Sequence, residues 1–466
     1  MTADIAAAKA ALSHLEIDEN PTALKAASRD FFWYSPVLKA RLDHVVGDFV
    51  VAPKNQDEVI EVLRACYRHN VPVTTRGAGT GNYGQAMPLA GGCVLHLKHM
   101  NQVKEVHPGR VIVEPGCLLK DLDAACIAHS GQEIRMFSST WATATIGGFI
   151  AGGSGGVGSC TWGALRDLGN IIRLRGVTME EVPRVLDFTG EEIPRVSHAY
   201  GTNGIITEVE MPLAPAYDWV EMFVAFRDFR EAALFGAELA AEDGILKKLV
   251  TPFEAPIPFD YFQRVRPHID RDTHLVALMI APQSMDGFLT FAARRPGAEI
   301  LYRSDDNDWD RNPGHVFEYG WNHTTLRALK VDPSITYLQV RYGGEGFLDK
   351  VERVRDTFGA EVLQHLEIMK EGSKIIYAGL PIVKFSTEER LEEIVRLHED
   401  MGCMIFNPHR YTLEEGGRQT VDDRQLAFKR QADPKGLLNP GKMIAWDDPN
   451  WAFDRIYAWP GLQAAE

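Results

Sequence analysis

No Cys-x-x-Cys pair occurs in this chain, and its six cysteines (Cys66, Cys93, Cys117, Cys126, Cys160 and Cys403) are scattered. That removes the common zinc and dithiol spacings and leaves no disulfide framework, as in a reduced compartment. Positive charge is in short supply: 49 Lys and Arg stand against 64 Asp and Glu, a formal net charge of −15. A nucleic-acid surface needs a basic footprint, so DNA or RNA binding is excluded as the main task. An anion can still be bound where local donors override the global field. No run of 18 uncharged apolar residues is present, so no membrane span is expected. The start, "MTADIAAAKAALSHLEIDEN", lacks a basic stretch followed by a long apolar one, so no secretory signal is expected and the default location is cytoplasmic. Internal repeats and low-complexity segments are also missing.

What is there is a chain of 466 residues with 45% apolar and 24% charged residues, enough for two or three domains with large cores. From about residue 45 to 215, short β-type runs alternate with helical stretches. "NQDEVIEVLRACYRHN" has Asn55 as N-cap and Val59, Leu63 and Cys66 on one stripe. "VPVTT", "CVLHLKHM" and "RVIVEPG" read as strands, and "LLKDLDAACIAHSG" as a helix closed by Gly131. From 216 to 401 aromatics and prolines rise, with strands such as "DWVEMFVAF", "LVALMIA" and "ITYLQVRYG" and helices such as "EERLEEIVRLHEDMG". A helical segment occupies 1–44, and the tail is 402–466.

Glycine carries the strongest local signal. "TTRGAGTGNYGQAMPLAGG" (74–92) contains G-x-G-x-x-G at Gly79–Gly84. A Rossmann site needs a helix opening on the last glycine, and Pro88, Gly91 and Gly92 stand where its first turns would form. The Rossmann reading fails. Glycines at this density can still let successive backbone N–H groups converge on an anion. A second cluster, "TATIGGFIAGGSGGVG" (143–158), has seven glycines among the twelve residues from Gly147 to Gly158, interleaved with Phe149 and Ile150. A flexible linker would be polar. Glycines between apolar anchors suit backbone packed closely on a flat ligand.

In order, "VVAPKNQDEVIEVLRACYRHNVPVTTRGAGTGNYG", "GGCVLHLKHMNQVKEV", "VIVEPGCLLKDL", "TATIGGFIAGGSGG", "WGALRDLGNIIRLRGV", "AYGTNGIITEVEMPL" and "DPKGLLNPGKM" resemble the FAD-binding vanillyl-alcohol oxidase / p-cresol methylhydroxylase superfamily. The likeness is greatest to its flavin-dependent D-2-hydroxy acid dehydrogenases, and it covers about residues 45–215 and 425–445. It implies an α+β fold: a two-subdomain FAD-binding domain at 45–215, an α+β cap at 216–401 over the flavin ring, and a C-terminal segment, 402–466, returning to the FAD domain. The loop Arg76, Gly77, Ala78, Gly79, Thr80, Gly81 and Asn82 would wrap the pyrophosphate. Ser139, Thr140, Thr145 and Gly148 would contact flavin, ribityl chain or phosphates. Gly152, Trp162 and Gly163 would line adjoining backbone, Ile205 and Ile206 would reach the adenosine, and Asn439 and Lys442 would arrive from the tail.

The chain also departs from its relatives. Some attach FAD to a histidine where Thr80 stands here, and some to a cysteine in the region of Cys160, whose spacing suits a buried structural thiol. Non-covalent FAD is the expectation. Metal-dependent members carry "H-x-G-D-G-N-x-H" and a later Glu-His-Gly. The first is missing, and in "FNPHRYTLEEGG" His409 takes the histidine's place after Pro408. No metal is expected, since a lone imidazole is a poor divalent site.

Oxidising an alcohol with a flavin needs a base for the hydroxyl proton, and a histidine neutral at pH 7 suits it. His409, Arg410 and Tyr411 offer base, carboxylate fork and hydroxyl donor, of which a strand could aim at most two into one pocket. In the cap, "EYGWNHTT" gathers Tyr319, Trp321, Asn322 and His323. "YLQVRYGG" places Tyr337, Gln339 and Arg341 on one strand face, where Arg341 could clamp a carboxylate. For Asn322, His323 and Arg341 the competing readings are an ordinary core and a surface ion pair. The expected function is FAD-dependent oxidation of a small alcohol, a 2-hydroxy acid, by hydride transfer to flavin N5. The alternatives are a phenolic or benzylic alcohol, or a flavin-binding electron-transfer subunit. The electron acceptor (oxygen, quinone or redox protein) stays open, and so does the assembly, for which a homodimer is one option.

Overall fold

The computed structural model describes residues 2–451 apart from 308, 311, 373, 419 and 420. The chain forms a mixed α/β fold with several sheets, divided into two compact units. One unit takes residues 2–154, 165–216 and 409–451; the other takes 155–164 and 217–408. The second glycine cluster is therefore split, its later half grouping with the second unit. Among the described residues no helix is long and apolar enough to cross a membrane.

In the first unit, Asn55 accepts the Glu58 N–H at 2.9 Å and opens the helix Gln56–Arg68. Its stripe of Val59, Leu63 and Cys66 is fully buried with Phe49, Val51 and Val73 of the adjacent sheet. Each such Val or Leu contributes about 1.5–3 kcal/mol by leaving water. That sheet runs Ile17–Asp18, Phe49–Val51, Cys93–His96, Val73–Arg76, the last three parallel. The tail extends its edge: Val73 N–H donates to the Leu437 carbonyl at 2.8 Å, and Asn439 N–H donates to the Val73 carbonyl at 2.9 Å. No helix lies between Val73–Arg76 and Cys93–His96, so the glycine loop is not a Rossmann turn.

The unit's other sheet is antiparallel, in the order Val103–His107, Arg110–Val113, Ile205–Pro215, Arg173–Val177, Val185–Thr189, and Gln132–Ile134 pairs with the end of Ile205–Pro215. The preceding helix, Leu119–Ser130, ends at Gly131 with φ +63°. One face of this sheet carries an ion-pair network. Arg173 reaches Glu208 at 2.7 Å, Asp187 at 3.0 Å and Glu210 at 3.1 Å, and Lys104 reaches Glu208 at 2.8 Å.

The second unit contains an antiparallel sheet ordered Lys247–Phe253, His274–Ile280, Val220–Phe226, Glu299–Arg303, and two more, of three and four strands. The run "ITYLQVRYG" is not one strand. Ile335–Tyr337 pairs with Ile382–Lys384, whereas Val340–Gly343 pairs with Lys374–Gly379 and Met404–Ile405 in a different sheet. Tyr337 and Arg341 thus do not share a strand face. The chain changes sheets at Leu338–Gln339, and alternation in sequence carries no sign of that.

Candidate functional site

The glycine loop of the first unit is held by its carbonyls. The Arg76 guanidinium donates to five carbonyl oxygens: Ala26 at 3.0 Å, Ala27 at 2.5 Å, Arg29 at 2.8 Å, Gly77 at 3.3 Å and Ala78 at 2.9 Å. Phe31 N–H donates to the Gly81 carbonyl at 2.6 Å. From the tail, Lys442 Nζ donates to the Gly84 carbonyl at 2.5 Å and Asn439 Nδ2 to the Gln85 carbonyl at 2.8 Å. With the carbonyls drawn inward, the N–H groups of Ala78, Gly79, Thr80, Gly81 and Asn82 donate to no partner among the described residues. Five neighbouring free donors are what an anion-binding nest requires.

Two glycines are obligatory. A Cβ on Gly77 would overlap Thr145 Oγ1. Gly79 has φ +71°, and a Cβ there would overlap Arg76 Nη2 and lie 2.9 Å from the Arg29 carbonyl oxygen. Thr75 Oγ1 and Asn82 Nδ2 are buried without a partner among the described residues. Buried polar atoms are normally satisfied, so these orphans call for a polar ligand at the loop.

Arg76 therefore braces the loop through its guanidinium, and of the fork only one Nη2 hydrogen is not committed to a carbonyl in these bonds. Thr145 caps the short helix Ile146–Gly152, accepting the Gly148 N–H at 3.3 Å, and Gln85 Nε2 ties the loop to the Gly152 carbonyl at 3.4 Å. Ser139 is buried, and Thr140 Oγ1 lies 3.0 Å from Ser138 Oγ. Ile205 and Ile206 are buried at the start of the strand Ile205–Pro215. Asn439, at φ +41°, has its amide nitrogen committed to the Gln85 and Tyr200 carbonyls. It closes the loop rather than reaching outward.

His409 belongs to the same unit and is 1% exposed. The residues 408–411 form a turn, not a strand, so the expected alternation of His409, Arg410 and Tyr411 does not apply. His409 Nδ1 lies 2.7 Å from Ser35 Oγ. Tyr411 Cβ lies 3.4 Å from where a Cβ on Gly84 would stand, and Lys442 Nζ sits 4.9 Å from the Tyr411 ring centre. Burial pushes Lys442 down to about 7, opposed by the negative charge of Asp30. Burial raises Asp30 to about 6 against the Ala86 N–H bond and the Lys442 charge. The tail thus brings Tyr411 and Lys442 to the glycine loop and His409 to Ser35.

Trp162, Gly163, Asn322, His323 and Arg341 belong to the second unit. Arg341 is bound to both carboxylate oxygens of half-exposed Glu371, one at 3.2 Å, so its fork is already filled. Trp162 is 37% exposed, and Gly163 follows it at φ +87°. Trp321 holds φ +51°, which costs a bulky residue of order 1–3 kcal/mol. Buried Glu367 pins that turn, accepting the Trp321 N–H at 2.5 Å and the Thr251 hydroxyl at 2.7 Å, with His365 Nε2 at 2.8 Å. Trp321 Nε1, Asn322 Oδ1 and His323 Nδ1 are buried without partners among the described residues. Burial, helped by the Arg327 and Lys330 charges, pushes His323 down to about 4, so it is neutral at pH 7. This turn suits an oxygen-bearing ligand. Cys160, in the same unit, is 2% exposed, and burial raises its thiol to about 11. Among the described residues no group of three or more His, Cys, Asp or Glu could hold a metal ion.

Sequence reasoning missed Ser35, Asp30 and Gln85, and in the second unit His365 and Glu367. "SPVL" does signal a helix start, with serine as cap and proline at the first position. Nothing local links it to a residue 374 positions away.

Comparison with known proteins agrees with the loop geometry. Residues 47–180 match the family described as FAD binding domain. Glycolate oxidase subunit GlcD of Bacillus subtilis is 33% identical over 86% of this chain and 89% of its own. D-lactate dehydrogenase of Archaeoglobus fulgidus is 30% identical over 85% of this chain and 91% of its own. In structure, an alkyldihydroxyacetonephosphate synthase superposes with a TM-score of 0.70 over 94% of this chain and 86% of its own, at 14% identity, a likeness of fold alone. The chain belongs to the FAD-linked oxidoreductases of the vanillyl-alcohol oxidase / p-cresol methylhydroxylase family.

Proposed function

We propose that the chain oxidises a 2-hydroxy acid to a 2-oxo acid with non-covalently held FAD. The observation that carries this reading is the presence, in one unit, of a glycine loop with five free N–H groups and a buried histidine from the tail. Relatives named for glycolate and D-lactate that span most of the chain support the substrate class.

FAD, when bound, supplies the hydride acceptor. The chain does the rest. Ala78–Asn82 hold the pyrophosphate with backbone donors, and Thr145 and Gly148 stand beside that loop. His409, whose Nδ1 lies 2.7 Å from Ser35 Oγ, is the residue proposed to take the substrate hydroxyl proton. Lys442 brings a buried amine to the loop and Tyr411 a phenol next to it. Within the second unit taken by itself, Asn322 and His323 are proposed as ligand-facing polar residues because their buried polar atoms have no partner among the described residues, and Arg341 is set aside because Glu371 fills its fork.

That loss of the expected carboxylate clamp also favours a second reading, oxidation of an uncharged aryl alcohol. Anaerobic mixing of the yellow holoprotein with a panel of 2-hydroxy acids and aryl alcohols separates the two. Bleaching by hydroxy acids alone is expected. Bleaching by aryl alcohols alone would transfer the assignment to them, and bleaching by neither would leave an electron-transfer role.

A further inference from the structure

We propose that Arg76 delivers its positive charge to the cofactor pyrophosphate through two peptide units of the glycine loop, polarising from behind the N–H groups that face the anion. The inference rests on the reading of residues 78–82 as an anion nest and adds the source of its charge.

Such a source is needed. Backbone N–H groups are neutral, and the chain carries a formal net charge of −15, so an anion approaches against the global field. A trans peptide sets its carbonyl oxygen and its N–H on opposite edges of one plane. A cation held at the oxygen therefore lies behind the N–H and strengthens the bond that the N–H donates in front. Arg76 stands in this relation to two consecutive units. Its Nε donates to the Gly77 carbonyl at 3.3 Å, behind the Ala78 N–H. Its Nη2 donates to the Ala78 carbonyl at 2.9 Å, behind the Gly79 N–H. Neither N–H has a partner among the described residues.

The guanidinium is fixed in that place. It is buried, and Nη1 donates to the Ala26, Ala27 and Arg29 carbonyls at 3.0, 2.5 and 2.8 Å. An arginine stays charged where a lysine would lose its proton. Burial lowers the Arg76 guanidinium and the negative charge of Asp30 opposes that. The Asp30 carboxylate accepts the Phe32 N–H at 2.9 Å and the Ala86 N–H at 3.2 Å, so the fork of Arg76 goes to carbonyls alone. The neighbouring units lack a cation at their backs. The Thr80 and Gly81 N–H groups belong with the Gly79 and Thr80 carbonyls, to which nothing donates among the described residues. The Asn82 N–H belongs with the Gly81 carbonyl, backed only by the neutral Phe31 N–H at 2.6 Å. One loop thus holds charged and uncharged donors of the same kind side by side.

The test uses the full-length chain freed of flavin. Inorganic pyrophosphate is added to the parent while the amide proton resonances of residues 78–82 are followed. The Ala78 and Gly79 protons should move further downfield than those of Thr80 and Gly81. FAD, and riboflavin, which lacks both phosphates, are then titrated into Arg76→Lys and Arg76→Gln beside their melting curves. Neither side chain restores the five carbonyl bonds, and only lysine carries charge. FAD should bind Arg76→Lys about 10–100-fold more tightly than Arg76→Gln, the difference between charged and neutral hydrogen bonds at two carbonyls. Riboflavin should bind both alike. Equal FAD affinity in the two variants reduces Arg76 to a brace and overturns the proposal, and so does the same lysine advantage toward riboflavin. Shifts at Thr80 and Gly81 that match or exceed those at Ala78 and Gly79 overturn it too, while leaving the nest. No shift at any of the five removes the nest, and this role with it. If neither variant folds, the shifts in the parent decide alone.

Discussion

Gly79→Ala is the smallest change that should cripple cofactor binding. The new methyl meets two penalties. Alanine at φ +71° costs about 1–2 kcal/mol. Its Cβ would also overlap Arg76 Nη2 and lie 2.8 Å from Arg76 Cζ, so the guanidinium must shift. The bond from Nη2 to the Ala78 carbonyl is then the first lost, and a hydrogen bond to a charged group is worth about 1.5–3 kcal/mol. The sum, about 2.5–5 kcal/mol, falls on the conformation that presents the free N–H groups. At 1.4 kcal/mol per decade, FAD should bind roughly 10²–10⁴-fold more weakly. Gly109→Ala is the control. Gly109 has φ +81° with nothing within 4 Å of a Cβ, so only the backbone term applies, in a turn of the other sheet. Fluorescence titration of both apoproteins with FAD, beside their melting curves, gives the answer. A Gly79→Ala affinity matching that of Gly109→Ala would refute the nest.

Three further outcomes are expected. Acid precipitation should release the flavin into the supernatant, since Thr80 offers no linking nitrogen and Cys160 is a buried, protonated thiol; colour in the pellet would contradict this. Arg341→Met should leave KM for 2-hydroxy acids within about twofold, as loss of a surface pair does, whereas a large rise would restore the carboxylate clamp. For acid stability, burial raises Glu208 and Glu210, but hydrogen bonds from Lys104, Arg110 and Arg173 outweigh it and the net shift is downward. Asp187 is lowered chiefly by its hydrogen bond from Arg175. Depressed carboxylates stabilise the fold above their unfolded pKa, and that stability disappears as pH falls through the folded values. Arg173→Met should therefore move the acid unfolding midpoint to higher pH, and an unchanged midpoint would show the network to be idle.

The first unit was legible where the signal is local. Asn55 and the Val59, Leu63, Cys66 stripe mark a helix start and its buried face within twelve residues, and both appear as expected. Pro88, Gly91 and Gly92 excluded a Rossmann helix on propensity alone. The tail's "NPGK" placed Asn439 and Lys442 only through resemblance, and their partners were invisible: Gly84 and Gln85 lie more than 350 positions away. His409 was reachable as a chemical type, but the serine that holds it was not. In the second unit the strand reading of residues 335–343 failed because both halves carry the same alternation, and only the partner strands decide that they part at Leu338–Gln339. His365 and Glu367 sit in "LQHLEIM", which reads as an apolar strand. Their significance comes from Trp321 and Thr251, which sequence spacing does not bring near.

The bond from Lys442 to the Gly84 carbonyl spans 358 positions, and it sets a clock. A ribosome adding about 5–20 residues per second needs roughly 20–70 s to travel from the glycine loop to that lysine. Throughout this interval the nascent loop has its N-terminal brace from Ala26–Phe31 but neither tail anchor. Flavin capture is thereby tied to completion of the chain, and a chain released before Lys442 should emerge colourless.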